Sequence, residues 1–273
     1  MTEIGAALVK ELRDATGAPM MDCKRALQET NGDLDAARTI LRERGMAQAA
    51  KRAGRETTEG LVGYRLENGG GEGGRATMVA VGSETEPVSK NDEFQSFAKK
   101  VLEAVIADGP GAVAELESDR VDLAGKLGEN IVVVGAERYD AGSGEIVGAY
   151  SHPPANKIGV LVKLAGGSDE LARQLAMHIS FAAPEWTSRE DVPAEAIEAE
   201  KQVYLNSDEL AGKPEQAKEK IVEGMLAKRF FAAQPGGALT EQPWIHDSAK
   251  TVGQALADAG ASVVAFKRFS VAE

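Results

Sequence analysis

Glu59-Gly60-Leu61-Val62-Gly63 and Gly144-Glu145-Ile146-Val147-Gly148 decide the fold, because each opens the same succession of elements. After the first, a strand over 61–66 leads through Asn68-Gly69-Gly70-Gly71-Glu72-Gly73-Gly74 to a second strand over 76–81, the pattern of a hairpin with a Gly-rich tip. A polar turn over 83–91 holds Pro87, which is expected to keep Glu86 extended. A helix follows with Phe94, Phe97, Ala98, Val101, Leu102, Val105 and Ile106 on one wide apolar face. Later, the run Ile131-Val132-Val133-Val134 predicts a buried strand. After the second opening, a loop over 151–157 leads to a strand over 158–164. A Gly166-Gly167 turn and a Ser168 cap then start a helix carrying Leu171, Leu175, Ile179 and Ala182, and 263–271 supplies the late strand. Two copies of a hairpin, helix and later strand predict an α+β fold with antiparallel sheets covered by helices, one subdomain over 55–140 and a second over 141–273.

The second copy carries an insertion at about 194–232. Helix-forming stretches over 194–205 and 214–232 flank 206–213, and Ile197 with Tyr204 and Ile221 with Met225 give narrow apolar seams. This predicts a protruding helical hairpin, either a packing arm for a partner or a second copy of the chain, or a solvated hairpin with no partner. Upstream, residues 1–54 read as a three-helix module and its linker. Ile4, Leu8 and Leu12 form the first stripe, Gly17 and Pro19 break the chain, and Met20, Cys23 and Leu27 are expected inward on the second helix. Asn31-Gly32 stops that helix, Asp33 caps a third with Leu34, Ala37 and Leu41 inward, and nothing in 46–58 demands a core. Met21 lies about 100° around from Met20, so two adjacent methionines do not both face inward. The exposed one is either bland surface or an adaptable apolar contact for a partner helix.

Composition narrows the function. With 31 Lys+Arg against 43 Asp+Glu, the net charge of −12 gives no footprint for gripping nucleic-acid phosphates. Aromatics at 5% leave no platform for stacking bases. A single Cys forms no internal disulfide, which points to a reducing, cytoplasmic compartment. Met1-Thr2-Glu3-Ile4 shows neither a basic start nor an apolar run, and no apolar stretch approaches the ~20 residues that span a bilayer.

No set of residues makes a case for catalysis. Gly69-x-Gly71-x-x-Gly74 matches the dinucleotide fingerprint in form, yet a strand-like Arg75-Ala76-Thr77-Met78-Val79 follows where that motif needs a helix N-terminus. No Lys-Ser/Thr pair completes a phosphate loop. His152, His178 and His246 have no metal-ligand spacing. Cys23 lies on an apolar helix side, where a buried structural thiol is expected, and His178 is expected to be packed. His152 and His246 fall in loops suited to contact. Neither a cofactor nor a metal is predicted.

Thr16-Gly17-Ala18-Pro19-Met20-Met21-Asp22-Cys23-Lys24-Arg25-Ala26-Leu27 with Asn31-Gly32-Asp33 closely resembles the opening of the bacterial elongation factor Ts family. The resemblance continues through Asn91-Asp92-Glu93-Phe94-Gln95-Ser96-Phe97-Ala98, Ile158-Gly159-Val160-Leu161-Val162, Ala176-Met177-His178-Ile179 and Lys250-Thr251-Val252-Gly253-Gln254, in order along essentially the whole chain. It implies a ubiquitin-associated-like head, a core of two similar subdomains, and a cytoplasmic guanine-nucleotide exchange factor for the GTPase elongation factor Tu, with no catalytic chemistry, nucleic acid or membrane of its own. A homodimer or a 2:2 complex through the core or hairpin is also implied. The family's Thr-Asp-Phe-Val turn, which displaces Mg²⁺ from the partner, falls on Thr85-Glu86-Pro87-Val88. Arg13, Met20, Met21 and Lys24 fall where the head meets the GTPase, and His152, Ile245 and His246 where the second subdomain does. Glu86-Pro87 departs from the family's Asp-Phe, so the aromatic wedge is missing. The chain also stops at Glu273 without the extra C-terminal helical module of some relatives. The alternative reading is an adaptor that binds through its three-helix head, with the core as scaffold.

Overall fold

The structure, a computed structural model, describes residues 4–272. Met1, Thr2 and Glu3, read above for a leader, and the terminal Glu273 lie outside the described residues. Three helices come first: α1 (Ala6–Thr16), α2 (Met20–Glu29) and α3 (Leu34–Arg52). Gly17 ends α1 at φ +67°, its N–H donating to the Arg13 carbonyl, and the Asp33 carboxylate starts α3 by accepting the Asp35 and Ala36 N–H groups. Val9, Leu12, Cys23, Ala26, Leu27, Ala37 and Leu41 form the apolar core of this head.

Two expectations fail here. Met20 is not inward: Ala26 completes the buried face with Cys23 and Leu27, and both methionines are exposed, Met20 at 53% and Met21 at 64%. A ten-residue helix packed on two others buries a face only as wide as those neighbours cover. The segment after residue 45 is also no bare linker, since α3 runs on to Arg52 and buries Ala49 in the next core.

That core belongs to β1 (Glu59–Glu67), β2 (Arg75–Ser83), α4 (Glu86–Ser89), α5 (Asp92–Asp108), α6 (Glu117–Leu127) and β3 (Ile131–Asp140), whose strands are ordered β1-β2-β3. Val79, Val81, Phe94, Phe97, Val101, Val105 and Ile131 pack together in it. At roughly 1.5–3 kcal/mol per fully buried side chain, the α5 stripe is the main contribution to its stability. The run 131–134 is not a buried strand. β3 is an edge, and successive side chains point to opposite faces, so Ile131 and Val133 join the helix-covered core while Val134 is exposed. The expected polar turn at Pro87 is α4, one helical turn. Proline is tolerated in a first turn, where its missing N–H has no intrahelical partner to lose, so Glu86 is helical rather than extended.

The second succession is β4 (Glu145–Ser151), β5 (Ile158–Ala165), α7 (Asp169–Ala182), α8 (Ala194–Leu205), α9 (Glu215–Met225), β6 (Pro243–Trp244), β7 (Asp247–Thr251), α10 (Val252–Asp258) and β8 (Ser262–Ser270). Its main sheet is ordered β4-β5-β8, and β4 pairs antiparallel with β5 from Glu145↔Ala165 to Ser151↔Gly159. The Ser168 hydroxyl accepts the Leu171 N–H and starts α7, which buries Leu175, Ala176 and Ile179 against Val160, Val162 and Leu164. The α+β class and the repeated three-stranded order are therefore both present. The helical hairpin is α8 and α9, with a π-helical turn at Leu226–Phe231 after α9. Its seam is wider than expected: Tyr204 and Met225 are joined by Val192, Leu210, Val222, Leu226 and Phe231.

The chain divides into two compact units, one of residues up to 63, 79–136 and from 270 on, the other of 64–78 and 137–269. In the second unit the Gly-rich loop packs backbone to backbone. The Val147 N–H donates to the Gly70 carbonyl at 2.7 Å, and a Cβ on Gly70 would stand 2.6 Å from the Val147 oxygen. β2 begins at Arg75, directly after the glycines, so the loop is a hairpin tip and offers no helix N-terminus to a pyrophosphate. Among the described residues, no helix is long and apolar enough to cross a membrane.

Candidate partner-binding site

Thr85, Glu86 and Pro87 are exposed, Val88 is half-buried against the α5 core, and Ser89 is buried. The turn is held from outside itself. The Glu129 carboxylate accepts the Glu84 N–H at 3.1 Å, the Thr85 N–H at 3.0 Å and the Thr85 hydroxyl at 2.5 Å. In return the Glu84 carboxylate accepts the Asn130 N–H at 2.6 Å and pairs with Arg55 at 3.1 Å. Burial pushes the Glu84 carboxyl up, but the Asn130 N–H and the Arg55 guanidinium together bring it below the usual carboxylate range. Glu86 carries an ion pair with Lys90 one turn on, at 2.6 Å.

Arg13 lies in the last turn of α1, and Met20, Met21 and Lys24 lie on α2; all four are exposed. Positions 20, 21 and 24 fall within about 100° of helix circumference, so the structure brings them onto one side of α2. Cys23, between them in sequence, points the other way into the head. Burial pushes its thiol up, opposed by a hydrogen bond with Thr16.

In the second unit, His152 follows β4 in an exposed loop, its Nδ1 3.0 Å from the Tyr150 hydroxyl. Ile245 and His246 form the turn between β6 and β7, both exposed. This turn stands on a buried polar strut. Trp244 stacks on His178 with centroids 5.3 Å apart and meets His246 edge-on at 4.8 Å. The His178 Nδ1 lies 3.4 Å from the Ile245 N–H, and its Nε2 lies 2.9 Å from Gln242 Oε1. The Gln242 amide donates to the carbonyls of Ala233 at 2.8 Å and Ala182 at 3.3 Å, and to that of Gly236. Because Nδ1 accepts an N–H, the ring is neutral and Nε2 carries the proton. Burial pushes the His178 pKa down, against the Gln242 bond and with help from nearby His246.

Sequence reading missed the residues that support these segments. Glu129, Glu84 and Gln242 carry no local pattern, and the bonds that join Glu129 to Thr85 and Gln242 to His178 span 44 and 64 residues. Among the described residues, no group of three or more His, Cys, Asp or Glu is placed to hold a metal ion.

A family model described as Elongation factor TS matches residues 84–273. The elongation factor Ts of Idiomarina loihiensis is 42% identical over 280 residues, which cover 99% of this chain and 91% of that relative. That of Serratia proteamaculans is 42% identical over 277 residues, covering 100% of this chain and 93% of the relative. That of Escherichia coli O139:H28 is 41% identical over the same length and shares.

Proposed function

The chain belongs to the elongation factor Ts family, and on that premise we propose that it binds elongation factor Tu carrying GDP and speeds GDP release. The observation that carries this is similarity along nearly its whole length to relatives of that name. A GTPase holds GDP through a phosphate loop and a Mg²⁺ ion that bridges phosphate oxygens to protein ligands. A partner that binds the nucleotide-free state more tightly than the GDP-bound one lowers GDP affinity by that differential, and incoming nucleotide in turn expels the partner. No bond is made or broken by the exchange factor.

In this reading Thr85-Glu86-Pro87-Val88 acts on the Mg²⁺ side of the partner's site. Arg13, Met20, Met21 and Lys24 dock the head, and His152, Ile245 and His246 dock the second unit. Exposure of Thr85, Glu86, Pro87 and every one of the docking residues supports these assignments. The test is release of a fluorescent GDP from purified elongation factor Tu, with wild type and Pro87→Phe compared over a range of Mg²⁺. The wild type is expected to accelerate release. Pro87→Phe is expected to accelerate it further, most at high Mg²⁺, by no more than the ~1.5–3 kcal/mol that burying a Phe contributes. Tight GDP or GTP binding by this chain alone, without exchange, overturns the reading. Equal rates for both variants at every Mg²⁺ level remove the turn from it.

A further inference from the structure

α4 is four residues long, far below the length at which a helix holds itself in water, and its first two residues are exposed. Its order therefore comes from its ends. At the C-terminal end Val88 packs on the core and Ser89 is buried, its hydroxyl donating to the Glu86 carbonyl at 2.8 Å. At the N-terminal end Thr85 occupies the capping position, yet its side chain makes no cap bond to its own helix. The hydroxyl is turned instead to Glu129. One oxygen of that carboxylate takes two consecutive N–H groups and the other takes the hydroxyl. Glu129 is itself placed by Gly128, which ends α6 at φ +76°, and by Asn130, whose N–H and side-chain amide are bound by the Glu84 carboxylate and the Arg55 carbonyl. The two segments thus clasp each other, each with a carboxylate on the other's backbone.

We propose that Glu129 is the positioning residue of the exchange turn. Its carboxylate holds Thr85-Glu86-Pro87-Val88 in one preordered conformation, in place of the large apolar anchor that Pro87 does not provide. This rests on the reading that the turn acts on the GTPase. A turn ordered before contact loses little conformational entropy on engaging its target, so the clasp acts on the rate of release once the complex has formed. Its removal leaves the docking residues on α1, α2 and the β6–β7 turn in place.

The test compares wild type, Glu129→Ala, Glu129→Gln and a Glu86→Gly/Pro87→Gly turn variant. It measures maximal GDP release rate, the concentration for half-maximal effect, thermal midpoint, and hydrogen exchange at the Glu84 and Thr85 amides. Glu129→Ala is expected to lower the maximal rate about tenfold, roughly 1.4 kcal/mol, with little change in half-maximal concentration or midpoint, and to lose protection of both amides. Glu129→Gln is expected to restore rate and protection, because its carbonyl accepts both N–H groups and its amide donates to the Thr85 oxygen. If the turn variant is slow while Glu129→Ala matches wild type, the proposal is overturned and the role of the turn stands. If Glu129→Ala and Glu129→Gln lose rate, affinity and midpoint alike, Glu129 is merely structural and the proposal is again overturned. A turn variant as fast as wild type overturns the role of the turn itself, and the positioning proposal with it.

Discussion

Both ring nitrogens of His178 are engaged, one accepting the Ile245 N–H and the other donating to Gln242. Protonation would put a second donor where the Ile245 N–H already points. Gln242 and Trp244 beside this ring are neutral, and nearby His246 adds to the lowering of its pKa. Burial holds the folded pKa below the unfolded value of about 6.5. In the window between the two values the unfolded chain binds more protons than the native one, so stability rises with pH there. This contribution is complete above about pH 6.5 and declines as the pH falls toward the folded pKa. We expect His178 to titrate below 6.5 by NMR, with protection of the Ile245 amide lost along the same curve. We also expect denaturant stability to fall between pH 7.5 and 5.5 more steeply in wild type than in His178→Asn. Titration at or above 6.5 would contradict the strut.

At the scale of elements, α3 and α6 approach through a pair of glycines. A Cβ on Gly125 would stand 2.8 Å from the Gly45 Cα and 2.9 Å from its carbonyl carbon, backbone atoms that do not yield as a flexible side chain does. Neither glycine has a positive φ, so the need is for space and not for backbone freedom. Gly125→Ala is expected to destabilise by about 1–3 kcal/mol, the usual effect of overpacking, measured by denaturant unfolding. Gly111, with nothing near its Cβ position, serves as the control and should tolerate alanine with a far smaller change. The same crossing carries Ala49 into the core of α5 and α6.

Over the whole molecule, the head helices fall in one compact unit with α5, α6 and the parts of the first three strands over 59–63, 79–83 and 131–136, although the sequence divides head from core at residue 54. The consequence can be tested by two truncations. Removing residues 1–45 takes away the head core and the docking positions proposed on α1 and α2 but keeps Ala49. Removing 1–54 also uncovers the space that Ala49 fills. The shorter truncation is expected to keep a cooperative unfolding transition while binding elongation factor Tu more weakly, and the longer one to be measurably less stable. Loss of cooperativity in the shorter truncation would make the head an integral part of the core.

How much was readable from sequence follows from the range of the interactions. The α5 and α7 stripes, the caps at Asp33 and Ser168 and the hairpin tip at 68–74 were all set by neighbours within a few residues, where helical and strand periods are written directly. The family also came from the chain alone. Tertiary structure decided what depends on which surfaces meet. The head turned both methionines outward, β3 became a half-exposed edge, Ala49 was buried past the expected linker, and Glu86-Pro87 opened a helical turn. It also joined Glu129 to Thr85 and His178 to Gln242, across 44 and 64 residues. A carboxylate or an amide has no periodicity of its own; its partner is whichever unsatisfied backbone group the packed elements bring within 3 Å or so.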